Sequence, residues 1–236
     1  MISVIIPAYN EEKEIGICLS SLVNQITTQK FEVILVDNNS NDKTIEIAQK
    51  YENILNLKII TQKIKGRGAA RQKGFNYAKG EILLSTDADT NVPQSWIENF
   101  SKTLQKNNAV AVTGTCKIID SNFLTNKLVN IFQPLLMRFY RLIFGHYWLS
   151  GFSFGIYKNV YKKSDGFNKH LNAQEDIDLS FKVSKIGQIK FISNLPVIFS
   201  GRRFNKGLIK GLLPYFTTFI AYFFYKNEKV VLSDIR

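Results

Sequence analysis

Glu81-Ile82-Leu83-Leu84-Ser85-Thr86-Asp87-Ala88-Asp89 is the stretch on which the fold turns. Its apolar run is long enough for a buried strand and too short for a helix, and it ends in two carboxylates one residue apart. Glu81–Asp87 is therefore expected to be a strand with Asp87 and Asp89 at its end. The pattern recurs on both sides. Val4-Ile5-Ile6, Phe31 to Asp37, Leu57 to Thr61, Val110 to Ile119 and Pro196–Ser200 are further apolar, mostly β-branched runs. Between them Glu12–Gln25 sets Ile15, Cys18, Leu19 and Leu22 on one helical face, and Asp42–Tyr51 does the same with Ile45, Ala48 and Tyr51. Asp42 is placed to cap that second helix, and Gly80 to stop a helix before the Glu81 strand. Strand and helix in alternation predict an α/β fold, a mostly parallel sheet with right-handed crossovers.

In such a sheet, ligands sit beyond the carboxyl ends of the strands. The chain puts polar residues there: Pro7-Ala8-Tyr9-Asn10-Glu11, Asp37-Asn38-Asn39-Ser40 and Thr86-Asp87-Ala88-Asp89. Three polar strand ends on one edge describe a nucleotide site. Asp87 and Asp89 offer hard oxygen donors that can share a divalent cation with a diphosphate. Taken alone, an Asp-x-Asp also describes a solvated turn. Cys18 and Cys116 have no metal-ligand spacing and exclude a disulfide framework, and His146 and His170 are too few for a metal site.

The length of 236 residues suits one large domain or two small ones, and 45% hydrophobic with 21% charged residues excludes a disordered or collagen-like chain. The net charge of +12 is unevenly spread. Residues 1–120 carry 14 basic and 13 acidic side chains; residues 121–236 carry 17 and 6, with 23 of the 30 aromatics. Phe123–Leu149 is almost wholly apolar, its polar or small positions Lys127, Asn130, Pro134, Arg138, Arg141 and Gly145 forming one narrow helical stripe, with a kink expected near Pro134. Gly211–Tyr225 is a second apolar stretch, flanked by Lys206, Lys210, Lys226 and Lys229. As a helix it is about 22 Å long, short of the roughly 30 Å of bilayer hydrocarbon. Both read as interfacial elements on an anionic membrane surface. Basic charge alone would equally fit nucleic acid, but here it accompanies apolar stretches and not polar loops, so no nucleic-acid partner is expected. Trp148, Phe152, Phe154 and Tyr157 either line an acceptor cleft or pack a core. The N-terminal Met1–Pro7 has no signal-peptide pattern, so the expected place is the cytoplasmic face of the cell membrane, peripheral or monotopic.

Five segments in order carry a family resemblance: Ser3–Glu12 (SVIIPAYNEE), Val33–Thr44 (VILVDNNSNDKT), Gly68–Gly74 (GAARQKG), Asp87–Asp89 (DAD) and Gln174–Leu179 (QEDIDL). Together they resemble the family 2 inverting glycosyltransferases over about residues 2–200. Two departures stand out: Ser164-Asp165-Gly166-Phe167-Asn168 replaces a Gly-Gly-Phe-Asp signature, and Lys182 sits where an Arg is commoner. The resemblance implies a GT-A fold with a Rossmann-like sheet. It implies that Pro7, Tyr9, Asn10, Glu11 and Asp37 hold the base and ribose of a UDP- or GDP-sugar, and that Arg71 meets the diphosphate or donor sugar. It also implies Asp89 as principal ligand of Mn²⁺ or Mg²⁺, with Asp87 touching the cation, ribose or sugar. Arg202 and Arg203 are expected either to close over the diphosphate or a lipid phosphate, or to form an exposed basic turn.

The same resemblance gives Asp176 the role of general base and Glu175 that of orienting the acceptor. Without it, Glu175, Asp176 and Asp178 equally read as acidic residues favoured at a helix start. A phosphate acceptor needs no base, so the pair favours a hydroxyl of a lipid-linked or glycan acceptor. Transfer to polyprenyl phosphate is the alternative, and a catalytically inactive membrane-surface protein that binds sugar nucleotides is a rival from another class. The expected organisation is a catalytic domain over 1–205, its nucleotide half 1–120 and acceptor half 121–205 with an interfacial segment at 123–149, then a membrane-associated segment over 206–236. Sugar, base and oligomeric state stay open.

Overall fold

Strand β1 (Ile2–Ala8) runs through the middle of an eight-stranded sheet, and its buried Ile and Val side chains feed the cores on both faces. The computed structural model describes residues 1–106, 108–205 and 207–225. After β1 come α1 (Ile15–Val23), β2 (Phe31–Asp37), α2 (Thr44–Gln49), β3 (Leu57–Thr61), α3 (Arg67–Tyr77) and β4 (Ile82–Ser85). Then follow β5 (Thr90–Asn91), α4 (Trp96–Lys106), β6 (Ala111–Lys117), α5 (Phe123–Phe144), β7 (Phe154–Tyr157) and α6 (Lys158–Lys163). The chain continues through α7 (Glu175–Ser184), β8 (Ile189–Phe199), a 3-10 turn (Gly201–Phe204) and α8 (Leu208–Tyr225).

The sheet order is β3-β2-β1-β4-β7-β6-β8-β5, with β3, β2, β1 and β4 mutually parallel. Beyond them it is mixed: β7 is antiparallel to β4 and β6, β8 parallel to β6, and β5 antiparallel to β8. From β1 the chain steps outward to β2 and β3, then returns to the other side of β1 as β4. That reversal opens a crevice at the carboxyl ends of β1 and β4, the usual ligand position in such sheets. Pro7 belongs to β1, but β4 pairs only with Ile2–Ile5, so its missing N–H breaks no ladder there.

One face of the sheet packs Leu19 and Leu22 of α1 with Trp96 and Phe100 of α4. The other is built around Phe75 of α3, whose ring lies 5.7 Å from Phe154, 4.8 Å from Tyr161 and 5.1 Å from Phe167. Burying an aromatic side chain of this kind contributes about 1.5–3 kcal/mol. Phe167 comes from the segment Ser164–Asn168 and is a core plug that carries the chain from α6 towards α7. Phe154 is likewise core, and Phe152 packs on Phe199 at 5.6 Å.

Two capping expectations differ from the structure. Lys43 is the N-cap of α2, and Asp42, one residue earlier, accepts from the Thr44 amide at 3.0 Å. Helix α3 ends at Tyr77 with Ala78 as C-cap, so Gly80 lies past the helix, its backbone tight against Ser3.

Helix α5 starts at Asn122, whose side chain accepts from the Thr125 amide at 2.9 Å, and stops at Gly145 with φ 78°. Its inward face holds Thr125, Met137 and Tyr140. The narrow polar stripe is split, with Lys127, Arg138 and Arg141 exposed. Asn130 turns in, its amide group bonded to both backbone groups of Ile118, because the end of β6 needs those partners. Phe123, Leu124, Phe132, Leu136, Phe139 and Leu142 face outward instead, Leu142 at 83% exposure. Helix α8 also exposes an apolar face, at Ile209, Leu213, Phe216 and Phe224. Its other side packs Phe219 and Phe223 against Phe144 and Phe181. Among the described residues no helix is long and apolar enough to cross a membrane. Lys206, Lys226 and Lys229, with the rest of 226–236, lie outside the described residues.

Candidate active site

The crevice is lined first by strand ends. Beyond β1, Asn10 takes a left-handed conformation, φ 53°, which the short Asn side chain tolerates. Its Oδ1 accepts from the Asn41 amide at 2.9 Å, and its own amide donates to Ser40 Oγ at 3.0 Å. These bonds tie the ends of β1 and β2 together. Asp37, at the end of β2, is buried and accepts from the Ser40 amide at 3.1 Å. Tyr9 presents its ring to Lys65, whose Nζ lies 4.7 Å from the centroid. Asn38, with no role foreseen, clamps the neighbouring loop by donating to the carbonyls of Gln62 and Ile64, 2.7 Å each, and accepting from Gly66.

Arg71, read from sequence as either a phosphate ligand or an exposed cation, is buried at 2% exposure. It projects from α3 between two acidic elements. Nη2 donates to Asp87 Oδ1 at 2.5 Å, and Nη1 bonds Glu175 Oε1 at the start of α7. Asp176, next on that helix, accepts from the Gly151 amide at 2.9 Å and from the Ile177 amide at 2.8 Å. A Cβ on Gly151 would come within 2.4 Å of Arg71 Nη2 and 3.2 Å of Asp176 Oδ2. Only a glycine lets the backbone approach both groups so closely.

The other end of the crevice is held by Arg202, in the 3-10 turn. Its guanidinium is bidentate to Glu11, Nη1 to Oε2 at 2.8 Å and Nη2 to Oε1 at 2.7 Å. Nη2 also reaches Asp89 Oδ2 at 2.7 Å. Arg203 turns to α8 and stacks over Tyr215, 5.3 Å from the ring centroid. The structure thus joins Arg202 to Glu11 and Asp89, and Arg71 to Asp87 and Glu175, and it separates Arg203 from Arg202.

Five carboxylates, Glu11, Asp87, Asp89, Glu175 and Asp176, share this crevice with two guanidiniums. Burial first, and the neighbouring carboxylates after it, shift the titration of the group. Burial pushes Asp89 up to about 7 against the pull of Arg202, with Asp87 and Glu11 adding to the rise. Burial likewise pushes Glu175 up to about 7 against Arg71, with Asp176 contributing. Asp176 is raised by burial, while Arg71 and the amides of Gly151 and Ile177 pull it back. Among the described residues no three His, Cys, Asp or Glu side chains form a ready metal cage. The donor set fits a hard cation that takes one or two carboxylate oxygens and completes its shell from phosphate. The guanidinium against Asp89 already marks that point as a seat for positive charge.

A crevice at the β1/β4 reversal, an acidic strand end and a buried acidic helix start now stand beside what the chain is similar to. The sequence profile described as Glycosyl transferase family 2 matches residues 3–170. The chain belongs to that family. It is 33% identical over 126 residues to the chondroitin synthase of Pasteurella multocida (strain Pm70), covering 52% of this chain and 13% of that one. The crystal structure of Staphylococcus aureus TarS 1–349 in complex with UDP-GlcNAc superposes with a TM-score of 0.68 at 24% identity, over 84% of this chain and 58% of that one. The mannosyltransferase PcManGT from Pyrobaculum calidifontis, in complex with GDP-Man and Mn²⁺, superposes with a TM-score of 0.66 at 19% identity, over 92% and 64%. This family 2 glycosyltransferase has the GT-A fold. It spans under half the length of the first curated relatives it matches.

Proposed function

We propose that the chain transfers a sugar from a UDP- or GDP-sugar, with inversion, to a hydroxyl of a lipid-linked or membrane-associated glycan. The observation that carries this reading is the position of Asp176. It is half-buried at the start of α7, beside the Arg71 that bridges Asp87 and Glu175. The acceptor oxygen bonds to the anomeric carbon as the bond from that carbon to the diphosphate oxygen breaks. Asp176 takes the hydroxyl proton, and the nucleoside diphosphate leaves with the electron pair. Glu175 holds Arg71 and orients the acceptor. Pro7, Tyr9, Asn10, Glu11 and Asp37 bind the base and ribose. Arg71 and Arg202 offer planar forks to the departing diphosphate.

A divalent cation, Mn²⁺ or Mg²⁺, when bound at Asp89 with Asp87 near it, would supply charge stabilisation of the leaving diphosphate. Mn²⁺ in the complex of the structurally similar mannosyltransferase supports this reading. The outward apolar faces of α5 and α8, with Lys127, Arg138, Arg141 and Lys210 and no acidic residue in either helix, support seating on an anionic leaflet at the cytoplasmic face.

The test is turnover of UDP- and GDP-sugars with hydroxyl and phosphate acceptors, wild type against Asp176→Asn. Transfer to a hydroxyl that the variant loses is the expected result. Transfer to polyprenyl phosphate that the variant keeps would overturn the base and the acceptor class together.

A further inference from the structure

The 3-10 turn that carries Arg202 is fixed from the far end of β6 and from the acidic strand end. Asp120, three residues past β6, accepts from the Gly201 amide on Oδ1 at 2.7 Å and from the Ser200 hydroxyl on Oδ2 at 3.2 Å. The Ser200 amide donates to the carbonyl of Asp89 at 3.3 Å. One dipeptide therefore bonds both the Asp120 carboxylate and the backbone of the residue that Arg202 engages. A Cβ on Gly201 would lie 2.5 Å from Asp120 Oδ1, so the carboxylate reaches this amide only because residue 201 has no side chain. From that base the fork of Arg202 spans Glu11 and Asp89, 2.7 Å from an oxygen of each.

We propose that Asp120 is the positioning residue for Arg202, and that the fork it sets competes with a divalent cation for the Asp89 carboxylate. This rests on the reading of Asp89 as the cation's ligand. Without donor, Glu11 and Asp89 converge and need a positive partner, since buried like charges repel. The fork supplies it, and the oxygen it holds, Asp89 Oδ2, is closed to a metal ion while it stays. Asp120 bonds Ser200 and Gly201 of the turn and not the Arg202 fork itself, so its effect passes through the turn.

The test is Mn²⁺ titration of the full chain without nucleotide, read by loss of the free-ion electron paramagnetic resonance signal. Arg202→Gln and Asp120→Ala are expected to bind Mn²⁺ about tenfold tighter than wild type, the scale of losing one charge-assisted hydrogen bond. Asp120→Asn keeps an acceptor for the Gly201 amide and should match wild type. The double variant Asp120→Ala/Arg202→Gln should bind no tighter than Arg202→Gln. Amide hydrogen exchange at Gly201 should quicken in Asp120→Ala and stay unchanged in Arg202→Gln. Indistinguishable Mn²⁺ binding in wild type and Arg202→Gln, including none in either, overturns the competition. An Asp120→Ala that binds Mn²⁺ like wild type, or a double variant that adds the two effects, overturns the role of Asp120. If Asp89→Asn binds Mn²⁺ like wild type, the underlying cation site is wrong, and the exchange rate at Gly201 still judges the Asp120 contact.

Discussion

The Gly151 amide donates to Asp176 Oδ2 at 2.9 Å, and a methyl group on Gly151 would land 2.4 Å from Arg71 Nη2. One backbone position thus packs against both the proposed base and the arginine that links the two acidic elements. Gly151→Ala should displace Arg71, Asp176 or both while leaving the sheet intact. The expected outcome is a loss in kcat of roughly a hundredfold, the scale of a one-ångström misplacement. Steady-state kinetics beside a thermal melt would check it, and a variant with wild-type kcat would refute the packing argument.

Asp176→Asn keeps a carbonyl oxygen for the Gly151 amide but cannot take a proton. Turnover should fall on the order of 10²–10⁴-fold. Donor affinity, measured calorimetrically, should move little, because Asp176 is assigned to the acceptor side. A parallel loss of donor binding would show that the substitution disturbs Arg71 and not the proton transfer.

As the proposed base, Asp176 acts in its ionised form, and burial raises its proton affinity. kcat at saturating donor should rise with pH along an acid limb whose midpoint lies above about 3.9, the value of a free aspartate. The same shift opposes stability as pH climbs. Between the unfolded and folded pKa values the native state holds the extra proton, so this group's contribution falls as pH rises through that window. A limb at or below the free-aspartate value would contradict the burial effect.

Arg71 is the positive partner of Glu175 and Asp87. Arg71→Met leaves the buried Glu175 without it and should cost about 3–5 kcal/mol near neutral pH. The deficit should shrink in acid, where the carboxylates protonate. Denaturant melts at two pH values would measure both, and an equal cost at each would count against an electrostatic origin.

Leu213 and Phe216 on α8 are exposed at 53% and 62%. Replacing both with Ser should leave the melting temperature within a degree or two, since little buried area is lost. Flotation with anionic liposomes should fall sharply if α8 seats on lipid. Unchanged flotation would move the anchor to α5 or remove it.

Much of the first half was legible from local pattern. β2 and β3 end where their β-branched runs end, and Ile15, Cys18, Leu19 and Leu22 are the buried face of α1. β4 is shorter than expected, ending at Ser85. α4 and β7 were not read, for different reasons. α4 carries a usable signal, since Trp96, Ile97, Phe100 and Leu104 recur at helical spacing. β7 has little, because Phe154–Tyr157 is only four residues long and Gly155 breaks its apolar run. Gly151 and Asp120 were invisible, as their importance lies in what approaches them.

Periodicity and strand-end chemistry, each read over short stretches, were enough to determine the parallel α/β core and the acidic ligand edge, and five ordered motifs between Ser3 and Leu179 carried the family resemblance. Tertiary structure alone decided that Arg71 meets Glu175 across 104 positions, and that Arg202 reaches Glu11 across 191. It also decided that α5 turns Asn130 inward and Phe123, Phe132 and Phe139 outward. Local pattern reports which face of an element is apolar. Which charges pair depends on strand order and on the reversal between β1 and β4, and in a helix apolar nearly all round no face is marked in advance.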